Sequence, residues 1–485
     1  LFIMLHKKTG SALFTEIQNA FIGLDTQYTL ATGETTKRIY LDSTASTLMM
    51  KPAHDVVEHY YQHYANTHST LHFGAKISTD YYQWAHERML SFLGANPKTY
   101  ACFFTGSGTT AGMNRLARVF KHGRPEKTTA LVSIMEHHSN DLPHRKHMEK
   151  IIHVPLKERN GKLGCVCIDM LENICKEHQG QLNYIALTGV SNVTGIMNPI
   201  YEAAEIAHRY GAYMIVDGAQ LAAHVPVQMC NPKHPEQNID ALVFSGHKTY
   251  YPGSPGVVVA RKDLLLSVEP EEVGGGMVQD VFTENYVVKS TFPDREEAGT
   301  PNIPGAIGLA VAIDILDRIG MDFLFKEEDK LIQLALDKMT NIPGIRIYGE
   351  TNTNHCKRVA SISFNMKDLD HGLTAAILND YFNIAVRNDC FCAHPYVKEM
   401  IMDDLMSGVE NIEMDDIDDY IELKRGMVRA SFGLYSKDED VHALADALME
   451  ISKNAEKYIS HYHVDASGNY VHKSFRFDIE PFYPI

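Results

Sequence analysis

The sequence predicts an α/β protein whose main domain is built on a mostly parallel sheet. From about residue 100 to residue 260, apolar runs of strand length alternate with amphipathic helical stretches, the pattern of a parallel sheet covered by helices. In one such stretch, residues 199–210, the apolar residues share a helical face; they are Ala203, Ile206, Ala207 and Tyr210. Polar motifs follow several apolar runs, and an open α/β sheet binds its ligands at such strand ends.

Five apolar runs are predicted strands that end at a polar motif. They are residues 100–104, 130–134, 184–187, 212–216 and 240–244. The turn after the first strand, residues 105–110 (TGSGTT), leads into a helix that extends to about Phe120. Its backbone N–H groups, hydroxyls and helix dipole suit a phosphate, although such a turn is more often only a helix cap.

A lysine and an aspartate stand at two of these strand ends. Lys248 follows the last strand in the motif SGHK, residues 245–248, and Asp217 follows another in VDGAQ, residues 216–220. Pyridoxal phosphate (PLP) needs a lysine for its Schiff base, a carboxylate for its pyridine nitrogen and several donors for its phosphate. Burial would lower the pKa of Lys248, and a protonated ring nitrogen would compensate a buried Asp217. Taken alone, each residue could equally well have only a structural role. Together with the other motifs, the two residues predict a PLP site.

Two further motifs supply a ring and an amide. In residues 136–140 (EHHSN), an imidazole could stack on the pyridine face and exchange protons. In residues 191–195 (SNVTG), the amide of Asn192 could hydrogen-bond to the phenolic oxygen of the cofactor. A lone loop histidine is more often structural, so both assignments depend on the five strand ends meeting at one ligand.

In their order and spacing, these motifs resemble those of class V aminotransferase-fold enzymes, and among them the group II cysteine desulfurases and selenocysteine lyases. The resemblance extends from Tyr40 to about Leu448 and includes residues 274–277 (GGGM) and 297–302 (EAGTPN). It implies the PLP-dependent transferase fold type I, with a smaller α+β domain after the large one. The expected boundaries are an extension at residues 1–39, a large domain at 40–303, a small domain at 304–451 and a tail at 452–485. The helix that begins near Pro304 would join the two domains.

The resemblance also implies roles for individual residues in holding PLP. Lys248 would bind the cofactor covalently, Asp217 would pair with the pyridine nitrogen and His137 would stack on the ring. The other residues implied to hold the cofactor are Thr109, Thr110, Asn192, Gln220, Ser245, His247, Gly299 and Thr300. Gly299 and Thr300 are implied to reach the phosphate of a second subunit, so a homodimer with shared active sites is expected.

On the substrate side, the resemblance places Cys392, within residues 387–395 (RNDCFCAHP), at the position of the desulfurase nucleophile. Arg429 matches the arginine that binds the substrate carboxylate, with Arg387 and Asn192 as further substrate contacts. Cys390 has no implied role; in an extended loop its side chain would point the same way as that of Cys392, one step farther from the substrate. Two buried structural thiols are an alternative. A metal cluster is not predicted, because a second pair of ligands is lacking.

The sequence therefore predicts a PLP-dependent cysteine desulfurase, which transfers sulfur from L-cysteine to an enzyme persulfide and releases L-alanine. One alternative is a selenocysteine lyase, or another class V C–S lyase or aminotransferase, in which Cys392 is not the nucleophile. Another is a non-catalytic scaffold that binds a sulfur-relay partner, which the intact Lys248 and Asp217 disfavour. A sulfur-acceptor protein is a further expected partner.

Composition narrows the expected partners and compartment. A net charge of −16, from 45 basic and 61 acidic side chains, argues against nucleic acid. The eight cysteines show no disulfide framework, and a reactive thiol favours a reducing compartment, so a cytoplasmic enzyme without a membrane partner is expected. The connection between Cys392 and Arg429 carries an acidic insertion at residues 402–420, which is a solvated face, a lid or a docking surface.

Overall fold

The protein, seen in a computed structural model that describes residues 8–359, 361–409 and 425–479, is organised around a seven-stranded sheet. In chain order its strands are β1 (Tyr100–Thr105), β2 (Thr129–Ser133), β3 (Lys150–Val154), β4 (Leu182–Thr188), β5 (Tyr213–Asp217), β6 (Ala241–Ser245) and β7 (Gly256–Arg261). Their spatial order is β1-β7-β6-β5-β4-β2-β3. In this sheet β7 runs antiparallel to both neighbours, and the other pairs are parallel. The predicted mostly parallel sheet is confirmed, with strand ends shifted by one or two residues.

Most residues of the strands are apolar and buried, because helices cover both faces of the sheet. The helices in this part of the chain are Lys51–Tyr61, Phe73–Phe92, Gly108–Gly123, Leu142–His147, Ile168–Glu177, Ile200–Arg209, Lys262–Leu266 and Ile303–Ile319. In helix Ile200–Arg209 the predicted apolar face is buried at Ala203, Ile206 and Ala207. Single-turn 3₁₀ helices occur at His138–Asn140, Pro235–Gln237, Gly246–Lys248 and Asp294–Glu296.

Buried apolar side chains form a large hydrophobic core around the seven-stranded sheet and a small core after it in the chain. Helix Met321–Thr340 runs from the large core to the small one. The preceding helix, Ile303–Ile319, packs on Phe73–Phe92 and belongs to the large core. Along Met321–Thr340, Leu324 lies in the large core and Leu331 in the small one. The joining segment is thus one helix later than the one predicted from about Pro304, because that helix is apolar on most faces and is buried within the large core.

The small core surrounds a four-stranded antiparallel sheet. Its strands are β8 (Ile345–Ile347), β9 (Ser361–Met366), β10 (Arg387–Asp389) and β11 (Met427–Ser431), in the order β8-β9-β11-β10. The helices His371–Phe382, His394–Val409 and Asp438–Lys453 follow β9, β10 and β11. This arrangement is the α+β organisation expected for the second domain, whereas the four domain boundaries stay predictions.

Both terminal segments pack on the rest of the chain. Near the N-terminus, helix Gly10–Ile17 buries Leu13 and Ile17 in the large core. A hairpin of Tyr462–Val464 and Tyr470–His472 contacts helix His371–Phe382. The remaining elements are the hairpins Gln27–Thr29/Thr35–Lys37, Leu156–Arg159/Lys162–Val166 and Val278–Val281/Tyr286–Val288, the strand pair Ile39–Tyr40/Ile384–Ala385 and helix Ala455–Ile459.

The acidic insertion is only partly described. Residues 402–409 form the end of helix His394–Val409, and residues 410–424 lie outside the described residues. Within the described ranges, none of the helices has the length and apolar character that crossing a bilayer requires.

Candidate active site

A cavity of about 290 Å³ opens at the carboxyl ends of the parallel strands, and residues of both cores line it. The predicted site residues that line it are Thr109, Thr110, His137, Asn192, Asp217, Gln220, Ser245, His247, Lys248, Arg387, Cys392 and Arg429. Gly299 and Thr300 are not among its lining residues. The fold thus gathers the predicted residues at one place, except for the two that were assigned to a neighbouring subunit.

Lys248 ends the 3₁₀ turn Gly246–Lys248, which directly follows β6. Burial lowers the pKa of Lys248, and the nearby Asp217 carboxylate opposes this shift. A lysine amine whose pKa is lowered in this way loses its proton more readily and can then attack a carbonyl carbon.

Asp217 is the last residue of β5 and is 2% exposed. Its Oδ1 accepts a hydrogen bond of 2.9 Å from the backbone N–H of Ala219. Burial raises the pKa of Asp217, and the Ala219 N–H and the charge of Lys248 oppose this shift. A carboxylate in such a place is stable only with a cationic or hydrogen-bonding partner, and a protonated ring nitrogen is a suitable one.

The turn between β1 and helix Gly108–Gly123 forms a narrow cradle lined with donors. Gly108 has φ +58°, and a Cβ there would lie 2.5 Å from the Ser245 Oγ. The same Oγ accepts from the Thr109 N–H at 2.9 Å and lies 2.9 Å from the Thr109 hydroxyl, while the Thr110 and Ser139 hydroxyls are 2.7 Å apart. Hydroxyls at a helix N-terminus, with a glycine where the backbone must come close, suit a phosphate group.

Two histidines line the cavity as uncharged rings. Burial, followed by the charge of Lys248, lowers the pKa of His137 to about 3 and that of His247 to about 4. The His137 Nδ1 accepts from the Ser139 N–H at 3.0 Å, so the proton of the neutral ring is assigned to Nε2. A neutral imidazole can stack on an aromatic ring without adding a second cation next to Lys248.

The donor set of the cavity fits PLP. An amine whose pKa is lowered, a buried carboxylate, a neutral imidazole and a hydroxyl-lined helix N-terminus meet the requirements of its aldehyde, pyridine nitrogen, ring face and phosphate. The absence of a Cβ at Gly108 lets the Ser245 hydroxyl approach the start of the helix, which brings these donors together for a phosphate.

A second cluster of charges lies opposite this donor set. The Arg429 side chain comes from β11, is 2% exposed, and its Nη1 donates to the Asn192 carbonyl at 2.8 Å. Asp42 lies between two arginines: its Oδ1 is 3.4 Å from an Arg429 nitrogen and its Oδ2 is 3.6 Å from an Arg387 nitrogen. Burial lowers the pKa of Arg429 to about 10, opposed by Asp42, so the guanidinium stays charged at neutral pH. Its buried Nε has no hydrogen-bond partner among the described residues, and a guanidinium has the shape to bind a carboxylate.

Cys392 lies on the loop between β10 and helix His394–Val409, and its side chain is exposed at the cavity. The loop is not extended: Phe391 has φ +53° and Cys392 has φ +55°. The expectation that Cys390 and Cys392 point the same way is therefore wrong, since Cys390 is buried at 1% exposure and its thiol donates to the Arg425 carbonyl at 3.4 Å. Burial raises the pKa of Cys390 to about 12, which makes it a poor nucleophile.

Several residues of the site were not singled out by sequence reasoning. The additional cavity residues are Thr44, Ala45, Ser107, Ser139, Thr188, Val190, Ala219 and Phe391. Apart from Thr44 and Ala45, they lie within or close to a recognised motif, but nothing in the sequence shows which residue of a motif faces the ligand. Glu136 accepts from the Ser133 hydroxyl and the Asn140 amide, both at 2.6 Å, and from the Thr188 N–H at 2.7 Å. This buried carboxyl, whose pKa burial raises to about 8, joins the ends of β2 and β4.

The chain belongs to the aminotransferase class V family, whose family model matches residues 39–444. The fold is accordingly that of the type I PLP-dependent enzymes, as predicted.

The chain is similar to several proteins that are named cysteine desulfurase or probable cysteine desulfurase. A probable cysteine desulfurase of Halalkalibacterium halodurans is 34% identical over 431 residues, which cover 87% of this chain and 94% of that protein. A cysteine desulfurase of Escherichia coli is 30% identical over 420 residues, covering 85% of this chain and 93% of that protein. Among solved structures, the apo cysteine desulfurase of Thermococcus onnurineus has a TM-score of 0.73 at 29% identity, with 86% of this chain and 95% of that chain covered. The E. coli cysteine desulfurase CsdA has a TM-score of 0.71 at 26% identity, covering 92% of this chain and 98% of that chain.

Proposed function

We propose that this chain is a PLP-dependent cysteine desulfurase that converts L-cysteine into L-alanine and keeps the sulfur as a persulfide on Cys392. The observation that carries the proposal is the placement of Cys392, which is exposed at the same cavity that holds Lys248, Asp217 and Arg429. The relatives described above are named cysteine desulfurase or probable cysteine desulfurase, which supports the proposed activity.

PLP, when bound, supplies an electron sink that lets the Cα–H and Cβ–S bonds of the substrate break. Lys248, Asp217 and His137 would hold it, together with the hydroxyls of the Gly108 cradle. The lowered pKa of Lys248 lets its Nζ take a proton from the substrate Cα and return it to carbon. His137 is neutral and keeps a proton on Nε2, where it can assist proton exchange at the ring.

Arg429 would bind the substrate carboxylate. Its position is fixed on one side by the Asn192 carbonyl and on the other by Asp42, and its guanidinium lies 4.6 Å from the centre of the Phe391 ring. Because Phe391 directly precedes Cys392, the residue that orients the substrate also contacts the nucleophile loop. The exposed Arg387, which Asp42 also pairs with, would add a second positive charge near the carboxylate.

Cys392 carries out the sulfur transfer. Its thiolate attacks the substrate sulfur, an S–S bond forms and the Cβ–S bond breaks, while the carbon fragment takes up a proton and leaves as alanine. One cysteine and one enzyme thiol thus give one alanine and one enzyme persulfide, so atoms balance without a further reductant. Since Cys392 is exposed, its persulfide is accessible to a sulfur-acceptor protein, and a cytoplasmic location would keep the thiol reduced.

The test is the Cys392→Ser variant assayed for its products. We expect no alanine and no persulfide from L-cysteine, while PLP still binds, because a serine hydroxyl is not ionised at neutral pH. Alanine, persulfide, pyruvate and keto acid are quantified with L-cysteine, L-selenocysteine and other amino acids. Full alanine release by the variant, or pyruvate or a keto acid as the wild-type product, would assign the chain to the lyases or aminotransferases. Preference for L-selenocysteine would assign it to the selenocysteine lyases.

The homodimer is part of the same proposal. The loop before helix Phe73–Phe92 exposes Leu71 at 96% and Phe73 at 90%, and such exposure of large apolar side chains is typical of a protein interface. This loop adjoins the segment assigned to the neighbouring phosphate, because the Asn66 amide donates to the Thr300 hydroxyl at 3.2 Å. We expect sedimentation to show a dimer, and Phe73→Asp to weaken both dimerisation and PLP binding. A monomer that binds PLP tightly and turns over would contradict the role of Gly299 and Thr300.

A further inference from the structure

Two histidines that do not line the cavity meet beside the nucleophile loop. His138 lies in the turn His138–Asn140 after β2, and His394 is the first residue of helix His394–Val409. The His394 Nδ1 is 3.0 Å from the His138 Nε2, and the two rings are nearly parallel, 9° apart, with their centres at 4.8 Å. The pair therefore joins the large core to the residues that directly follow Cys392.

His138 also contacts the loop through its backbone. Its N–H donates to the Cys392 carbonyl at 2.8 Å, and the His394 N–H points at the His138 Nε2 from 3.5 Å. The loop is thus bonded to one residue on both sides of Ala393. Left-handed backbone at Phe391 and Cys392 is sparsely populated by such residues, so it persists only where surrounding contacts hold it.

We propose that His138 and His394 are positioning residues, which hold the loop in the conformation that keeps the Cys392 thiol at the cavity. The inference rests on the proposed function in one respect, the assignment of Cys392 as the nucleophile. The two histidines contact the loop and do not themselves line the cavity.

The N–H···N bond fixes the proton positions of the pair. Two donors, the His394 N–H and ring Nδ1, converge on the His138 Nε2, so this nitrogen is assigned as the acceptor and His138 as neutral. Burial, followed by His394, lowers the pKa of His138; Asp141 opposes this and Arg145 adds to it. His153 of β3 also faces this group, 3.5 Å from Asp141.

The direction of the pH effect follows from these contacts. A histidine whose folded pKa is below its unfolded value contributes fully when both states are neutral, and its contribution is lost as the pH falls through the lowered pKa. Protonation of the His138 Nε2 takes the acceptor away from the His394 backbone N–H and requires the contact between the two rings to reverse its direction. We therefore expect the loop to be held at neutral pH and released on the acid side.

The experiment compares His394→Ala, which removes the ring, with His394→Asn, whose side-chain amide keeps a donor near the Nδ1 position. Hydrogen exchange of the peptide that contains residues 389–394 is measured without substrate, and alanine release is measured with saturating L-cysteine. We expect faster exchange and an alanine rate that falls about tenfold to a hundredfold in His394→Ala, because a displaced nucleophile loses its alignment. His394→Asn should restore most of both, and His122→Ala, at an exposed position, should change neither.

A second variant tests the effect of protonating His138 separately from the loss of the ring contact. His138→Gln places an amide oxygen near the Nε2 position, where it accepts but does not titrate. At neutral pH its rate of alanine release should resemble that of the wild type. As the pH is lowered, its rate should fall less than the wild-type rate does. Two results would overturn the positioning role without affecting the proposed desulfurase activity. One is unchanged hydrogen exchange and alanine release in His394→Ala. The other is a folded His394→Asn variant that releases alanine as slowly as His394→Ala. Full activity of Cys392→Ser would instead overturn the proposed function, and the exchange data would still report whether the pair holds the loop.

Discussion

The side of the cavity that carries Lys248 and the side that carries Cys392 are built differently. Lys248 and Asp217 follow buried strands of the central sheet, and the strand register fixes where they lie: Asp217 pairs with Val243 of β6 and with Thr188 of β4. Cys392 lies in a loop with left-handed residues, which reaches the large core through the buried side chains of Cys390, Phe391 and Ala393 and through individual hydrogen bonds. Regular pairing in a buried sheet gives a rigid frame, whereas a loop without strand pairing has a less constrained backbone.

This difference matches the two tasks of the proposed reaction. The cofactor side must present the same groups through every turnover, and burial there also lowers the pKa of Lys248, His137 and His247. The nucleophile must reach into the cavity to collect sulfur and then present it outward. An exposed thiol on a loop without strand pairing suits the second task, and a strand-end residue suits the first.

The largest expected effect comes from breaking the cofactor side. Lys248→Ala should abolish turnover and the visible absorbance of bound PLP while leaving the fold intact, because Lys248 is the lysine among the described residues that line the cavity and its amine is needed for a Schiff base. Alanine release, visible spectra and circular dichroism measure these three properties. Lys233→Ala, at an exposed position, is the control. Unchanged activity and spectrum in Lys248→Ala would rule out the PLP assignment.

A smaller effect on the same side is expected for Asp217→Asn. The variant should keep PLP but react slower by orders of magnitude, since a neutral amide does not keep a ring nitrogen protonated. Stopped-flow spectra and the rate of alanine release separate binding from chemistry. Hydrogen exchange in the loop at residues 389–394 should stay unchanged, because the Asp217 carboxylate bonds to the Ala219 N–H and not to that loop. Altered exchange would show that the sides are coupled, and wild-type rates would show that Asp217 does not serve the ring.

The cofactor side could be predicted from the sequence almost completely. Strand periodicity, a motif at each strand end and the rule that such ends meet at one ligand suffice to place Thr109, Asn192, Asp217 and Lys248 together, as the structure shows. These inferences depend on local patterns, and the buried parallel sheet converts them into positions without much freedom. The α+β character of the second domain was also accessible, through the resemblance to the class V enzymes.

The nucleophile side was less accessible because its geometry depends on contacts between distant segments. The sequence around Cys392 contains no glycine in residues 387–395, so the left-handed backbone at Phe391 and Cys392 leaves no local signal. The partner of His394 lies 256 residues earlier, and Asp42 reaches Arg429 across 387 residues. From the sequence alone, charged and polar residues of this kind are interpreted as solvent-exposed surface residues. Only the fold shows that they lie together.

The smallest expected effect concerns Cys390. It tests whether burial, rather than its position in the sequence, keeps Cys390 from acting as a nucleophile as Cys392 does. Cys390→Ser should leave alanine release close to that of the wild type, because Cys390 is 1% exposed and burial raises its pKa to about 12. The serine hydroxyl can still donate to the Arg425 carbonyl, but an apolar contact is lost, so the free energy of unfolding should fall by about 1 kcal/mol. Denaturant unfolding and alanine release, with Cys392→Ser as the matched variant, measure the two properties. If Cys390→Ser instead stops turnover without loss of stability, Cys390 takes part in sulfur transfer, and the loop must open far enough to expose it.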